Sequence, residues 1–202
     1  TIDPRTAVSP YGSPEFALGC GVVNAQLAEF YGLPSFGFSG CPDSKLPDVQ
    51  AGIEMMMITL MNALAGVTLL HDCGYIAAGS AGSLPMAVIS NEAVGYVKRI
   101  LKGVKVDEDS LAFDVISEIG PGGHFLAHKH TLENLEKEFY ITKLMDRDSL
   151  GTWVKKRRKG IYERAKEEVK RILRTHEPEP LDPDVKRRIE ELIREFEEKY
   201  VT

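Results

Sequence analysis

The alternation of short apolar segments with helical segments constrains the fold of this chain most. Residues 14–31 carry apolar side chains at helical spacing, and residues 34–40 form a short aromatic segment bounded by Pro and Gly. A Met- and Leu-rich helix is predicted over 48–65, a β-branched strand over 67–71 and another helix over 85–101. Strands that alternate with helices of this length are typical of parallel βαβ units, so the sequence predicts an α/β protein.

The number of predicted strands is too small for a closed sheet. Three to four strands are predicted, whereas a closed parallel barrel needs about eight. An open parallel edge would leave backbone groups unpaired and promote aggregation. We therefore expect a missing N-terminal portion or a complementary chain to supply the remaining strands. The chain begins with Thr1 rather than Met, so we expect a fragment or a trimmed product.

Composition excludes several classes of function. The net charge is -5, so no general attraction to nucleic acid or to anionic lipid is expected. The longest apolar stretch, 53–67, is interrupted by polar residues and is too short to cross a bilayer, so no membrane span is predicted. Cys20, Cys41 and Cys73 lack CxxC spacing, which favours a protein of the reducing cytoplasm over a disulfide framework or a zinc knuckle.

The second half of the chain becomes more charged. Residues 107–118 are predicted to be helical, and four residues rich in glycine then precede 124–131, which is either strand or loop. Beyond residue 150, two predicted helices each carry a stripe of apolar residues on an otherwise charged surface. We interpret these helices as packing or subunit-contact elements, so a homo-oligomer is expected.

The polar residues that follow the two best-defined strands are the candidates for chemistry. In barrels and in open α/β sheets, the loops after the strands carry the functional groups. This rule places residues 41–45 and 71–80 at the functional face of the protein.

Four sequence runs then carry a resemblance to a known family. They are GCPDSKLPDVQAGIE from Gly40, TLLHDCGYIAAG from Thr68, SEIGPGGHFLAHKHT from Ser117 and GTWVKKR from Gly151. In content and order they resemble the C-terminal portion of trimethylamine methyltransferase family proteins, over nearly the whole chain. The resemblance implies the C-terminal part of a TIM (β/α)8 barrel over residues 1–150, followed by a C-terminal helical extension over residues 151–202.

The resemblance also implies a reaction. Family members transfer a methyl group from a small methylated amine to the cobalt of a corrinoid, which a separate corrinoid protein carries. This chemistry belongs to methylamine metabolism, including methanogenesis. No tightly bound metal is expected in the chain itself.

One residue divides the family. Members that use trimethylamine carry pyrrolysine, whereas members without it resemble glycine betaine methyltransferases. The motif places the pyrrolysine position close to Cys41, and the sequence contains no pyrrolysine. A quaternary ammonium already carries a neutral leaving amine and needs positioning more than activation. A quaternary donor such as glycine betaine is therefore favoured, and trimethylamine stays an alternative.

The predicted site residues fall into three groups. The catalytic candidates are His71 and Asp72, which follow an apolar strand. Aromatic faces and carboxylates suit a cationic amine, which makes the substrate-binding candidates Phe38, Asp43, Tyr75, Glu118 and Phe125. The candidates for contact with the corrinoid are Ser44, Lys45 and Gln50. The structural alternatives are a core position for the phenylalanines, a helix N-cap for the Asp and Ser residues, and a hydrogen-bonded strand end for the histidine.

Two other functions compete with methyl transfer. In an extended conformation His124, His128 and His130 would point to one side, as the ligands of a metal-dependent barrel hydrolase would. The second alternative is a non-catalytic barrel fragment that only binds a partner chain.

Overall fold

The computed structural model describes residues 1–156 and 158–201, so Arg157, the last residue of the run from Gly151, lies outside the described residues. The chain divides into two compact units, Thr1–Val169 and Lys170–Thr202. Helices and short strands alternate in the first unit, which confirms the predicted α/β class. The described strands form two two-stranded sheets rather than a closed barrel.

The predicted helix over 14–31 is present but has an irregular centre. Helix α1 (Pro14–Phe16) continues through a π-helical segment, Ala17–Val23, into α2 (Asn24–Tyr31). Ser13 caps the start by accepting a hydrogen bond from the Phe16 amide. Gly32 ends the helix with a left-handed φ of 64°, a conformation that glycine adopts without strain.

The parallel βαβ unit forms as the sequence predicts. Strand β1 (Phe36–Phe38) pairs in parallel with β2 (Leu69–His71), and α3 (Val49–Leu64) connects them. Asp48 caps α3 through a 3.0 Å hydrogen bond from the Ala51 amide, which confirms the N-cap interpretation for one of the Asp residues.

Both strands are shorter than predicted. The residues before them, Ser35 and Thr68, pair through their side chains, because each hydroxyl oxygen accepts the other residue's amide hydrogen at 3.0–3.1 Å. The Leu69 amide still donates to the Ser35 carbonyl at 3.1 Å, and side-chain bonds take the place of the ladder beyond that point. Pro34 lacks an amide hydrogen and does not extend the ladder either.

The segment predicted as a loop over 74–82 contains a small antiparallel sheet. Strand β3 (Tyr75–Ile76) pairs with β4 (Ala81–Gly82), and the chain then enters α4 (Leu84–Leu101). The loop prediction is therefore wrong for four residues. Small residues at this site form the tight connection between the strands, which runs through Ala77 and Ala78 in left-handed conformations.

The two faces of the β1–β2 sheet have different surroundings. A Cβ atom on Gly37 would lie 2.9 Å from both Asn62 Oδ1 and a methyl of Val67, so the Gly37 face is turned towards α3. Side chains alternate along a strand, which places Phe36, Phe38 and His71 on the opposite face. In a (β/α)8 barrel the face away from the helices is the barrel interior.

The remaining described elements are helices. The segment predicted as one helix over 107–118 is two, because Ala112 adopts a left-handed φ of 51° between them. The segment 124–131 is a loop that leads into a helix, not a strand. The described helices after α4 are α5 (Glu108–Leu111), α6 (Phe113–Ile119), α7 (Lys129–Glu138), α8 (Leu150–Lys155), α9 (Ile161–Thr175) and α10 (Pro183–Tyr200).

A single apolar cluster holds the first unit together. Its members come from α3, α4, β3, the loop after α7 and the start of α9, and they are Ala51, Met55, Ile76, Met86, Ile89, Ala93, Leu144 and Ala165. This cluster fixes α3, and therefore the βαβ unit, against the following helices. Among the described residues, none of the helices has the length and the apolar character needed to cross a membrane.

We expect Gly40→Ala to destabilise the protein, because a Cβ atom at this position would lie 2.5 Å from the backbone oxygen of Asp72. Overpacking of this kind typically costs about 1–3 kcal/mol. The matched control is Gly52→Ala in α3, where a Cβ atom meets nothing within 4 Å. It should raise the free energy of unfolding by about 0.5–1 kcal/mol. Urea denaturation of both variants measures the difference, and equal effects would contradict the close approach of the two strand ends.

Candidate active site

A histidine–aspartate pair lies at the carboxyl end of β2. His71 Nδ1 is 2.7 Å from Asp72 Oδ1, and both side chains are about a quarter exposed. The carboxylate contacts Nδ1, so Nε2 is the ring nitrogen left to face a ligand. The structure therefore brings the two predicted catalytic residues together in a geometry that orients the imidazole.

An aromatic cluster surrounds this histidine. The Phe36 ring stacks on the imidazole with centroids 3.9 Å apart, and the Phe38 ring lies 4.8 Å away. On its other side Phe38 contacts Phe16 at 5.0 Å and Tyr11 at 5.6 Å. Aromatic faces that converge beside a carboxylate are the surface that binds alkylammonium groups. Tyr11 and Phe16 were missed from the sequence, where they precede or begin a helix and give no signal of contact with a strand end.

The carboxyl ends of the two strands are locked together by Ser39. Its amide and its hydroxyl both donate to the His71 carbonyl oxygen, at 2.8 and 2.7 Å. The Ser39 oxygen also lies 3.0 Å from the Cys73 sulfur. Thr59 of α3 donates to the Ser39 carbonyl at 2.6 Å, so the helix holds the strand end in place.

Glu54 braces the loop that follows β1. One carboxylate oxygen accepts hydrogen bonds from the amides of Asp43 and Ser44, at 2.7 and 3.3 Å, and the other accepts from the Gln50 side chain at 2.7 Å. The Ser44 hydroxyl donates to Asp48 Oδ1 at 2.9 Å. Glu54 is a positioning residue that the sequence interpretation treated only as an interruption of an apolar stretch.

The loops after β1 and β3 also hold each other. Ala77 and Ala78 donate their amides to the carbonyl oxygens of Ser44 and Pro42, at 2.8 and 2.9 Å. Both alanines have left-handed backbones, with φ of 54° and 52°. A left-handed conformation costs a residue with a Cβ atom about 1–2 kcal/mol.

Cys41, which lies close to the predicted pyrrolysine position, also has a left-handed backbone. Cys41 has a φ of 73°, and Asp72, at the corresponding end of β2, has a φ of 71°. Left-handed residues other than glycine cluster at functional sites because the surrounding structure holds them there. At the ends of both strands, contacts with the surrounding residues therefore hold the backbone in a conformation that it would not adopt by itself.

Burial and charge set the chemistry of Cys41. Burial raises the pKa of its thiol to about 11, and the nearby carboxylates of Asp72 and Asp43 contribute in the same direction. A thiol in this environment stays protonated at neutral pH and is a poor nucleophile. The structure supports the role of an apolar filler for Cys41.

Asp43 lines a cavity next to the loop. The cavity has a volume of about 610 Å³ and is also lined by Glu54, Glu15, Asp3 and Arg5. Burial raises the pKa of Asp43, while hydrogen bonds from the Gly12 and Tyr11 amides oppose the rise. The carboxylates at its wall make the cavity suitable for a cation rather than for an anion.

The three residues predicted to contact a corrinoid differ from one another in their surroundings. The polar groups of Ser44 and Gln50 are used within the loop, on Asp48 and on Glu54. Lys45 is exposed between them. The structure gives Ser44 and Gln50 a bracing role in the loop, and contact with a corrinoid stays a prediction for all three.

The other predicted substrate residues make their contacts in different parts of the unit. Tyr75 is 43% exposed on β3, next to the His71 loop. Glu118 lies 3.5 Å from His128, and the Phe125 carbonyl accepts the Thr131 hydroxyl hydrogen at 2.8 Å. Glu118 and Phe125 thus make these contacts within the segment that runs from α5 to α7.

The three histidines of this segment do not adopt the extended arrangement that a metal site would need. His128 caps α7 and accepts the His130 amide on its Nδ1 at 3.1 Å. His130 lies in the first turn of the helix, with its Nε2 3.0 Å from the Asp109 carbonyl oxygen. Within residues 1–156 and 158–201, no three His, Cys, Asp or Glu side chains are grouped to hold a metal ion. The extended conformation on which the hydrolase alternative depends is absent, because α7 begins within the segment at Lys129.

Comparison with known proteins identifies the family. The family model described as trimethylamine methyltransferase matches residues 1–200. The chain belongs to the trimethylamine methyltransferase family. It is 40% identical over 192 residues to a glycine betaine methyltransferase of Desulfitobacterium hafniense strain Y51, an alignment that covers 95% of this chain and 40% of that protein.

Two further relatives of this chain are trimethylamine methyltransferases. The protein of Methanosarcina barkeri strain Fusaro is 35% identical over 193 residues, which are 96% of this chain and 39% of the relative. The protein of Desulfitobacterium hafniense strain DCB-2 is 32% identical over 202 residues, which are 98% of this chain and 40% of the relative. The chain thus spans about 40% of the length of the relatives that it matches.

We expect Glu54→Ala to lower the free energy of unfolding by about 2 kcal/mol or more, because two backbone amides lose a charged acceptor. Glu54→Gln keeps one oxygen acceptor and should cost less. Glu29→Ala, at an exposed position of α2, is the control and should stay within about 0.5 kcal/mol of the unmodified chain. Chemical denaturation measures all three, and a Glu54→Ala variant as stable as the control would contradict the bracing role.

The thiols should differ in reactivity. Cys73 is exposed, whereas Cys41 is 1% exposed and has a pKa raised to about 11. At pH 8 iodoacetamide should alkylate Cys73 at least about tenfold faster than Cys41, as peptide mass spectrometry measures. Comparable rates for the two thiols would show that the loop after β1 opens in solution.

The raised pKa of the Cys41 thiol should make the stability of the protein depend on pH. Its thiol titrates near 9.0 in an unfolded chain and near 11 in the folded one, so between these values the folded state binds more protons. Stability is therefore lost as the pH rises from about 9 to about 11. The loss should be smaller in Cys41→Ala, and denaturation at both pH values tests this difference. An equal loss in both proteins would contradict the assignment.

Proposed function

We propose that this chain forms part of an enzyme that transfers a methyl group from a methylated amine, preferably a quaternary one, to the cobalt of a corrinoid on a partner protein. The observation that carries the proposal is the pairing of His71 and Asp72 beneath a cluster of aromatic rings, at the carboxyl ends of two parallel strands. Membership of the trimethylamine methyltransferase family supports it.

The aromatic cluster is proposed to hold the ammonium group. Phe38 and Tyr11 present ring faces, and the carboxylates of Asp72 and Asp43 lie near the same strand ends. Cation–π contacts with a desolvated ammonium contribute about 2 kcal/mol. Tyr75, Glu118 and Phe125 stay proposed substrate contacts, of which Tyr75 lies closest along the chain to the pair.

His71 is proposed to orient the donor. With Nδ1 bound to Asp72, the ring presents Nε2 on the side away from the carboxylate. When it carries a proton, Nε2 donates to a substrate carboxylate such as that of glycine betaine. Asp72 fixes the direction of the ring through the 2.7 Å contact with Nδ1. This contact anchors one end of the donor while the methyl group projects outward.

The chemistry of the leaving group favours a quaternary donor. In the transfer the carbon–nitrogen bond breaks, its electron pair stays on nitrogen, and a neutral tertiary amine departs. The chain needs no acid for this step, so positioning and exclusion of water are its main contributions. The protonated thiol of Cys41 near the family's pyrrolysine position offers no electrophile for a neutral amine. The identity of 40% to a glycine betaine methyltransferase supports the same preference.

The methyl acceptor is proposed to arrive with its own protein. A corrinoid would supply the nucleophilic metal when it is bound, and it would approach the carboxyl ends of β1 and β2 rather than the open face of the sheet, which a barrel interior buries. Leu46, in the loop that follows β1, is 65% exposed at this end. Ser44, Lys45 and Gln50 stay proposed contacts, with Lys45 as the exposed charge of the three.

The same open face supports a partial TIM (β/α)8 barrel. The large exposed side chains Phe36 and Leu69 occupy the face that a barrel interior would bury, and the sheet has two strands among the described residues. We propose that the C-terminal part of a barrel is present over residues 1–150, with a helical extension over 151–202. Further strands, from an N-terminal barrel half or from a complementary chain, complete it in the cytoplasm.

We expect His71→Ala to lower the rate of methyl transfer at least about tenfold, roughly 1.4 kcal/mol in the transition state, because the donor loses its anchor. The assay follows methyl-corrinoid formation by visible absorbance, with glycine betaine or trimethylamine as donor and with the corrinoid protein and the completing barrel segment present. His176→Ala is the control, because His176 is an exposed histidine outside the site.

Two results would overturn the proposal at different levels. An unchanged rate for a folded His71→Ala variant removes the residue from the site. No methyl transfer from any of a panel of methylated amines, with the complete set of partners present, rules out the reaction itself.

A further inference from the structure

A cavity lies beside the run GTWVKKR, whose role the proposed reaction leaves open. The cavity has a volume of about 550 Å³ and is formed by the loop 142–148, by α8 with the residues that follow it, and by the first turns of α9. Trp153 and Lys156 of the run line it. Concave sites of about 300–1,000 Å³ that combine apolar walls with a few polar groups typically bind small molecules.

The segment around this cavity is basic, although the chain as a whole is acidic. Residues 143–159 contain seven Lys or Arg residues and two Asp residues, which gives a net charge of +5, whereas the whole chain carries -5. A concave site with an excess of one charge raises the local concentration of ligands with the opposite charge. The segment therefore favours an anionic ligand.

The carboxylates of the cavity do not neutralise all of its cations. Five cationic side chains and three carboxylates line it. The ion pairs that they form are Lys156–Asp148, Arg164–Asp146 and Lys159–Glu167. Within the part of the chain that the structure describes, Lys143 and Arg147 make no ion pair with a carboxylate. Arg147 instead donates to the uncharged hydroxyl of Tyr96 at 2.6 Å. Two cationic side chains thus remain for a ligand.

One buried carboxylate lies behind the loop. Glu92 is 3% exposed, and it accepts a hydrogen bond from the Lys143 amide at 3.1 Å. This contact holds the backbone of the loop and leaves the exposed ammonium group of Lys143 outside it. Glu92 therefore positions the cavity wall rather than pairing with one of its two uncompensated cations.

Hydrogen bonds hold the walls of the cavity in place. Arg164 of α9 donates to the Leu144 carbonyl at 2.8 Å and to the Lys159 carbonyl at 2.5 Å. The Trp153 indole nitrogen donates to the same Lys159 carbonyl at 3.3 Å. The loop, α8 and α9 are thereby connected around the cavity, and the indole supplies an aromatic wall. Aromatic rings pair favourably with one another in stacked or edge-on arrangements.

We propose that this cavity binds a small phosphorylated molecule that carries an aromatic ring, such as a nucleotide. Lys143 and Arg147 contact the phosphate, because a guanidinium can donate two parallel hydrogen bonds to phosphate oxygens and an ammonium adds a point charge. Trp153 contacts the ring. A long nucleic acid is disfavoured, because the net charge of the whole chain repels it. None of these residues belongs to the proposed methyl-transfer site, so the proposal is independent of that reaction.

The binding is tested with the fluorescence of Trp153, which is the one tryptophan of the chain. Titration of the full chain with adenosine monophosphate should change the emission, with a dissociation constant of about 1 mM or lower. Adenosine lacks the phosphate and should bind at least about tenfold more weakly. Inorganic phosphate should compete with adenosine monophosphate, and added salt should weaken both. Calorimetry measures the same affinities independently of the emission.

The two uncompensated cations are tested by substitution. Lys143→Ala and Arg147→Ala should each weaken the binding of adenosine monophosphate at least about tenfold, whereas Lys143→Arg keeps the charge and should retain binding. Lys129→Ala is the control, because it removes the same charge from a side chain on α7 that is 83% exposed. It should leave the affinity unchanged. Circular dichroism reports whether each variant is folded.

Four results overturn the proposal. Absence of binding of adenosine monophosphate and of phosphate, by both fluorescence and calorimetry, shows that the cavity takes no phosphorylated ligand. Equal affinities for adenosine and its monophosphate show that the cations do not recognise the phosphate. Equal losses in Lys129→Ala and in the two cavity variants assign the binding to general charge. A single-stranded oligonucleotide that binds more tightly than the monophosphate makes the segment a nucleic-acid surface instead.

Discussion

The parallel pairing of β1 with β2 is the interaction on which the site depends. It aligns Phe38 with His71, and Ser39 then ties the two strand ends with two hydrogen bonds to one carbonyl oxygen. Because α3 connects the strands and donates from Thr59 to the same junction, the helix, the sheet and the catalytic candidates form one mechanical unit. A shift of one residue in register would turn His71 towards α3 and remove it from the aromatic cluster.

The loops beyond these strands are held in conformations that their sequences do not favour. Cys41, Asp72, Ala77 and Ala78 all have left-handed backbones. The hydrogen bonds that Glu54 and the two alanine amides make across the loops offset this cost. These hydrogen bonds connect the loops at the end of the sheet to one another. The proposed methyl transfer would benefit from loops held in this way, because it requires alignment of donor, methyl group and acceptor.

The sequence predicted the elements well and the contacts between them less well. Periodicity and caps located the helices that begin at Pro14, Val49, Leu84 and Pro183. Both signals depend only on residues that are close in sequence. The β3–β4 sheet was missed, since each of its strands has two residues, too few for alternation to show. Tyr11, Phe16 and Glu54 were missed because their roles arise from contacts between residues distant in sequence. The start of α7 at Lys129 was not predicted, because a helix start and an extended segment share the same polar residues.

The open face of the β1–β2 sheet leaves the candidate site exposed to water. His71, Asp72 and the aromatic rings provide orientation, but the exposure of Phe36 and Leu69 leaves water in contact with the same surface. Electrostatic contacts weaken in water, and a partly hydrated ammonium ion binds aromatic faces less strongly. The geometry of the site and its dielectric environment therefore have separate origins. The βαβ unit determines the first, and the proposed barrel strands over the open face would determine the second.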